Sequence, residues 1–217
     1  VIAADGNGSW RLCSIAVVAG AGVGAGARVG GAGRAGRRAS ERLLLEPVGP
    51  VVTEESPRPE ITVAFALPKG DRPEGIVRGL VETGVDRIIP LITERTVVRP
   101  DARAAAERVG RLRRVAREAA MQSRRAFLPV VAEITRFVDF VAEAPSVALC
   151  VPGGGPPSLS CSVVVIGPEG GFSEGELAGG LPEVGLGSEI LRTETAAVSA
   201  GALLVALRSG LVAPVVP

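Results

Sequence analysis

Residues 163–178 read VVVIGPEGGFSEGELA, an apolar run that passes straight into Gly-Pro-Glu-Gly-Gly. Gly167, Gly170 and Gly171 permit backbone conformations and close approaches that a Cβ forbids. Ser173, with Glu176 three residues on, reads as the capping box of a helix. A strand therefore ends in a bare-backbone turn at a helix start. Its free N–H groups can face an anion, a nucleotide or a cofactor; the alternative is a tight structural connection. Glu169 inside the turn speaks against a simple phosphate cradle, and no Gly-Lys-Ser/Thr follows, so this is not a Walker loop.

The chain contains no histidine, which removes Ser-His hydrolase chemistry, histidine general bases and histidine-ligated metals. Cys13, Cys150 and Cys161 lie far from any C-x-x-C spacing and read as buried thiols of a reducing cytoplasm, with no metal site. The uncharged run at 12–27 is rich in Ala and Gly and shorter than the roughly 20 apolar residues of a membrane span, so a soluble cytoplasmic protein is expected. A net charge of +1 hides an uneven distribution. Between positions 103 and 125 stand eight arginines against Glu107 and Glu118, a local +6 that suits either a solvated face or a polyanion such as RNA.

The elements that must carry these residues alternate in type. Residues 1–60 divide into a turn-like DGNGSW, a strand-like RLCSIAVV, a Gly/Ala/Arg run at 19–38 expected as a flexible loop, and a linker at 53–60. From Ile61 onward, ITVAFAL predicts a buried strand. Asp71 and Glu74 then predict a capped helix, with Ile76, Val77, Leu80 and Val81 on one face, stopped by Gly84. RIIPLIT is the next strand, and the basic segment a long helix with Val109, Leu112, Ala116 and Ala119 at helical spacing. Strands follow at LPVVAEI, SVALCV and VVVI, with a helix near 137–144, a short strand at EILRT and an apolar helix over 195–210. This order predicts an α/β fold: a parallel sheet covered on both faces, with ligands at the carboxyl ends of its strands.

ALPKGDR (66–72), PLITERTVV (90–98), REAAMQS with Arg125, IGPEGGFSEGE (166–176) and LGSEILRTETAA (186–197) occur in an order and spacing that resemble the RsmE-type ribosomal RNA methyltransferases of the SPOUT superfamily. The resemblance covers roughly residues 60–210. It implies a SPOUT domain over 61–217, a trefoil-knotted parallel sheet with helices on both faces. Before it, residues 1–60 would form a truncated β-barrel, PUA-like RNA-binding module lacking part of the family's first segment. It further implies S-adenosylmethionine as cofactor, N3 of a uridine in 16S ribosomal RNA of the small ribosomal subunit as target, and a homodimer.

In the family, the turn matching Gly167, Pro168, Glu169, Gly170 and Gly171 and the segment matching Leu186, Gly187, Ile190, Leu191, Thr195 and Ala196 wrap the cofactor. For Leu186, Ile190 and Leu191 the alternative is ordinary core packing. Methylation at N3 needs alignment and stabilisation of charge on the flanking carbonyls. Arg192 is the candidate for holding the uracil, and Glu194 for orienting that arginine or accepting a proton; the alternative is an Arg192–Glu194 structural pair. Lys69, Arg72, Arg95 and Arg125 are candidate RNA contacts, or else surface and interface charges. Gly79 stands where relatives carry a lysine, Met121 where an acidic residue is common, and CVPGGGPPS replaces a His-Glu strand end. These departures bear on RNA affinity and target choice, and leave open an RNA-associated protein of the same fold without catalysis. A nucleotide-binding enzyme that uses the glycine turn for phosphates is the third possibility.

Overall fold

The computed structural model describes residues 1–18, 42–144 and 146–213 of the 217-residue chain. The Gly/Ala/Arg run at 19–38 lies outside the described residues. Strands β1 (Ile2–Ala4), β2 (Ser9–Val18), β3 (Arg42–Pro47) and β4 (Val52–Thr53) form an antiparallel sheet in which β2 is central and pairs with the other three. Among the described residues this sheet is open. Thr53, expected in the linker, belongs to β4, and Trp10 Nε1 donates to Glu54 Oε1 at 2.6 Å beside it.

The second sheet starts at β5 (Thr62–Ala66), which is buried along its whole length. α1 (Arg72–Thr83) follows, closed by Gly84 at φ 99°. Asp71 occupies the N-cap position, but its side chain accepts no capping bond, contrary to expectation; Pro73 fixes the first turn instead. β6 (Arg87–Ile92) pairs with β5 in parallel. α2 (Ala102–Gln122) carries the arginines and is capped by Asp101, which accepts from Ala104 N at 2.8 Å.

The single strand expected at 128–134 is instead two short ones, β7 (Val130–Val131) and β8 (Thr135–Arg136), both paired with β6. The interruption falls opposite Ile89 and Pro90 of β6, and proline has no N–H to give to a ladder. Next come α3 (Phe137–Glu143), β9 (Val147–Gly155), β10 (Val163–Ile166), α4 (Glu174–Leu177), β11 (Glu183–Val184) and α5 (Thr193–Arg208).

The described strands order as β11-β9-β10-β5-β6-β7, with β8 beside β6, and every pairing is parallel. Successive side chains of β5 point to opposite faces. Val63 and Phe65 pack with Ile76, Leu80, Leu112 and Leu204 beneath α1, α2 and α5, while Ala64 packs with Leu91, Phe137, Leu149 and Phe172 on the other side. Both faces are therefore covered, as an all-parallel sheet requires.

The expected strand at EILRT does not form. The sheet edge is taken by Glu183 and Val184 pairing with β9, and Ile190 is 87% exposed, so alternation there buries nothing. Arg192 becomes the N-cap residue of α5.

Arg125 is turned inward. One η nitrogen donates to Val81 O and Val85 O at 3.1 and 2.6 Å, and the other to Asp86 Oδ1 at 3.3 Å. Asp86 Oδ2 also accepts from Ile61 N at 2.9 Å and from Arg208, whose guanidinium further reaches Gly84 O at 3.1 Å and Pro59 O at 3.1 Å. One carboxylate thus ties the start of β5 and the end of α1 to the last turn of α5. Burial lowers the Arg125 pKa, opposed by the neighbouring Asp86 charge.

Candidate functional site

β10 delivers the chain into Gly167-Pro168-Glu169-Gly170-Gly171 at the carboxyl end of the sheet. Gly171 N donates to Pro168 O at 2.8 Å and Gly171 takes φ 68°, a left-handed conformation that suits glycine. A Cβ on Gly167 would sit 3.2 Å from the Phe172 ring, so this glycine lets the aromatic side chain fold beneath the turn. The predicted capping box is present: Ser173 Oγ accepts from Glu176 N at 3.1 Å, and Glu176 Oε2 accepts from Ser173 N at 2.9 Å. Glu176 does one thing more. Its Oε1 accepts from Glu94 N at 2.8 Å, which fixes α4 to the loop after β6.

The second glycine-bearing segment, 186–196, comes to the same place. Thr193 Oγ1 donates to Gly167 O at 3.1 Å, joining the first residue of α5 to the turn. Between the two segments and the end of β9 lies a cavity of about 340 Å³. Gly167, Pro168, Glu169, Gly171, Leu186, Gly187, Ile190, Leu191 and Ala196, all expected at a cofactor, line it. Gly170 and Thr195 do not: the Gly170 carbonyl accepts from Arg95 Nη1 at 2.8 Å, and Thr195 is exposed.

Sequence reasoning missed Cys150, Val151 and Pro152 at the end of β9, Ile166, Phe172 and Leu177 around the turn, and Glu189 and Thr193 in the second segment. The signal for the β9 residues was the topology itself, since β9 and β10 are parallel neighbours whose carboxyl ends open on one side. Burial pushes the Cys150 thiol up to about 12, so it is a neutral wall group and not a nucleophile.

Two arginines brace the turn. Arg72 Nη1 lies 2.5 Å from Glu169 Oε1 and 3.7 Å from Glu194 Oε1, while its Nε donates to Lys69 O at 3.2 Å. Arg95 holds the Gly170 carbonyl from the other side. Lys69 and Arg192 are exposed and, among the described residues, neither forms an ion pair. Glu194 faces Arg72 and not Arg192, and its Oε2 is buried with no hydrogen-bond partner among the described residues. The lining carries two carboxylates, Glu169 and Glu189, and no lysine or arginine. Such a hollow suits a ligand with cationic and apolar parts better than a phosphate chain.

A family model described as an RNA methyltransferase domain matches residues 54–205. The ribosomal RNA small subunit methyltransferase E of a Synechocystis strain is 38% identical over 182 residues, covering 76% of this chain. The chain spans 58% of that relative's length. The protein of the same name from Mycobacterium tuberculosis is 35% identical over 204 residues, covering 85% of this chain and 75% of its own. A crystal structure of a Neisseria gonorrhoeae ribosomal RNA small subunit methyltransferase E bound to S-adenosyl methionine superposes with a TM-score of 0.72 at 26% identity, covering 96% of this chain and 82% of that one. With its parallel SPOUT-like sheet, its two converging glycine segments and these relatives, the chain belongs to the RsmE-type ribosomal RNA methyltransferase family.

Proposed function

We propose that this protein transfers a methyl group from S-adenosylmethionine to N3 of a uridine in 16S ribosomal RNA within the small ribosomal subunit. The observation that carries the proposal is the convergence of the Gly167–Gly171 turn and the 186–196 segment on one apolar, acidic-rimmed cavity of about 340 Å³, with Thr193 bonded across it. Bound there, the cofactor supplies an electrophilic methyl carbon on a sulfonium centre. The residues present fit it: backbone groups of the turn can read a base edge, Leu186 and Leu191 can flank a ring, and Glu189, which meets no lysine or arginine among the described residues, favours a cation.

Arg192, outside the cavity lining but between two residues of it, Leu191 and Thr193, forms no ion pair among the described residues and is the proposed holder of the uracil carbonyl on which negative charge gathers when N3 loses its proton. Glu194 is the proposed acceptor of that proton, through the Oε2 that has no hydrogen-bond partner among the described residues. Lys69 and the outer arginines of α2 are proposed phosphate contacts.

The remaining parts of the proposal follow the family. Residues 61–217 form the knotted catalytic domain and residues 1–60 a PUA-like RNA-binding module, a division favoured by the two separate sheets. A homodimer is favoured by Ser199, Ala202, Leu203 and Ala206, which share the half-buried stripe of α5 opposite its core face. Calorimetry tests the cavity: S-adenosylmethionine should bind, and ATP should compete poorly. ATP binding in preference to S-adenosylmethionine would replace this function with a phosphate-binding one.

A further inference from the structure

A second and larger cavity, of about 700 Å³, lies on the other side of the wall that carries the glycine turn. The partition is thin. Phe172 lines the first cavity and packs, tilted at 44° with ring centres 5.9 Å apart, against Phe137, which lines the second; Leu177 faces the first, Gly175 and Glu176 the second. Ile92, Val138, Val141 and Leu181 give the second hollow an apolar wall, and Arg99 and Arg136 stand in its lining.

The polar groups of this hollow differ in whether they are already used. Glu176 is buried, with both oxygens accepting backbone N–H groups, and Thr93 is bonded to Thr96 at 2.8 Å. Arg99 gives one nitrogen to Glu94 O at 2.9 Å, and among the described residues neither Arg99 nor Arg136 meets a carboxylate. Glu94 is exposed, an acceptor suited to a base amino group and not to a phosphate. Two available guanidiniums beside an apolar shelf match the two halves of a nucleotide, a phosphate and a base.

We infer that this second cavity holds a nucleotide of the RNA strand adjoining the one being methylated, with its phosphate on Arg99 and Arg136 and its base against Val138 and Val141. The inference rests on the proposed function, since it assigns to the same RNA a second foothold across the wall. It would make the protein grip the target's neighbour independently of the cofactor.

The test is fluorescence anisotropy with a short, mixed-sequence single-stranded RNA over a range of salt concentrations, comparing wild type, Arg99→Ala/Arg136→Ala and Ala142→Glu. Ala142 lines the cavity and is exposed, so its replacement adds a repelling carboxylate while removing no contact of the fold. Both variants should bind RNA about tenfold more weakly at low salt, and the double variant's log–log salt slope should be shallower by about 0.7, the value for one phosphate contact on a single strand. Their affinity for S-adenosylmethionine should match wild type. RNA carrying 4-thiouridine should photocrosslink to residues 136–142. Wild-type affinity and slope in both variants, with crosslinks elsewhere, would overturn the inference and leave the proposed function standing. A wild type that binds neither RNA nor cofactor would overturn both.

Discussion

Arg72 joins two acidic groups from different elements, Glu169 in the glycine turn and Glu194 in the first turn of α5. These pairs are partly solvent-exposed, and such pairs add little to global stability, typically under about 1 kcal/mol. Their effect is on where the turn sits. Arg72→Ala is therefore expected to weaken S-adenosylmethionine binding several-fold in calorimetry while leaving the unfolding midpoint nearly unchanged. Arg192→Ala should do the reverse within the reaction, removing methyl transfer far more than cofactor affinity; equal losses of both would make it scaffold. Cys150 adds a pH dependence. Its thiol rises from 9.0 to about 12 on folding, so the unfolded chain binds fewer protons in that interval, and the stability this group contributes is present below pH 9 and lost as pH climbs towards 12. Denaturant titrations at high pH should show a smaller decline in Cys150→Ala than in wild type. At this scale the sequence made residue types legible but not their partners. Arg72, Arg95 and Arg125 read alike as RNA contacts, yet the first two hold the glycine turn and the third is buried against Asp86, because long-range pairing decides where a guanidinium points.

At the scale of elements, α1 and α5 meet through glycines. A Cβ on Gly201 would lie 2.7 Å from Val85 Cγ2 and 2.9 Å from Leu80 Cδ2, and one on Gly79 would lie 2.7 Å from Val198 Cγ2. Gly79, a weak helix former, thus serves close packing of two helices. Gly110 of α2 has nothing within 4 Å of its ideal Cβ. Gly110→Ala should stabilise the protein by about 0.5–1 kcal/mol, the helix-propensity difference, whereas Gly201→Ala should destabilise it because the clash with two core side chains outweighs that gain. Denaturant unfolding of the two variants checks the opposite signs. Strands β5, β6, β9 and β10 and the long helices were legible because each is a long apolar or periodic run. β7 and β8 were merged, and EILRT misread, for tertiary reasons: a proline in the neighbouring strand and a sheet edge already occupied by β11.

At the scale of the whole molecule, the two sheets meet at Phe127. Gly8 N donates to Ala126 O at 3.1 Å and Leu128 N to Gly6 O at 2.9 Å, while an added Cβ on Gly8 would lie 2.4 Å from the Phe127 ring. The open antiparallel sheet is thus anchored just past the end of α2, the helix that carries Arg114 and Arg117 exposed and outside any ion pair among the described residues. That joins the proposed RNA-binding module to the proposed catalytic domain by backbone bonds. The parallel sheet and its covered faces were legible from the alternation of elements, whereas the openness of the first sheet among the described residues was not, because closure depends on pairings no local pattern carries. The central claim is tested most directly by incubating the protein with small ribosomal subunits and S-adenosylmethionine labelled with tritium in its methyl group, then digesting the RNA to nucleosides. Label eluting as 3-methyluridine is the predicted result. Label absent from the RNA while the cofactor still binds, or present on another nucleoside, would contradict it.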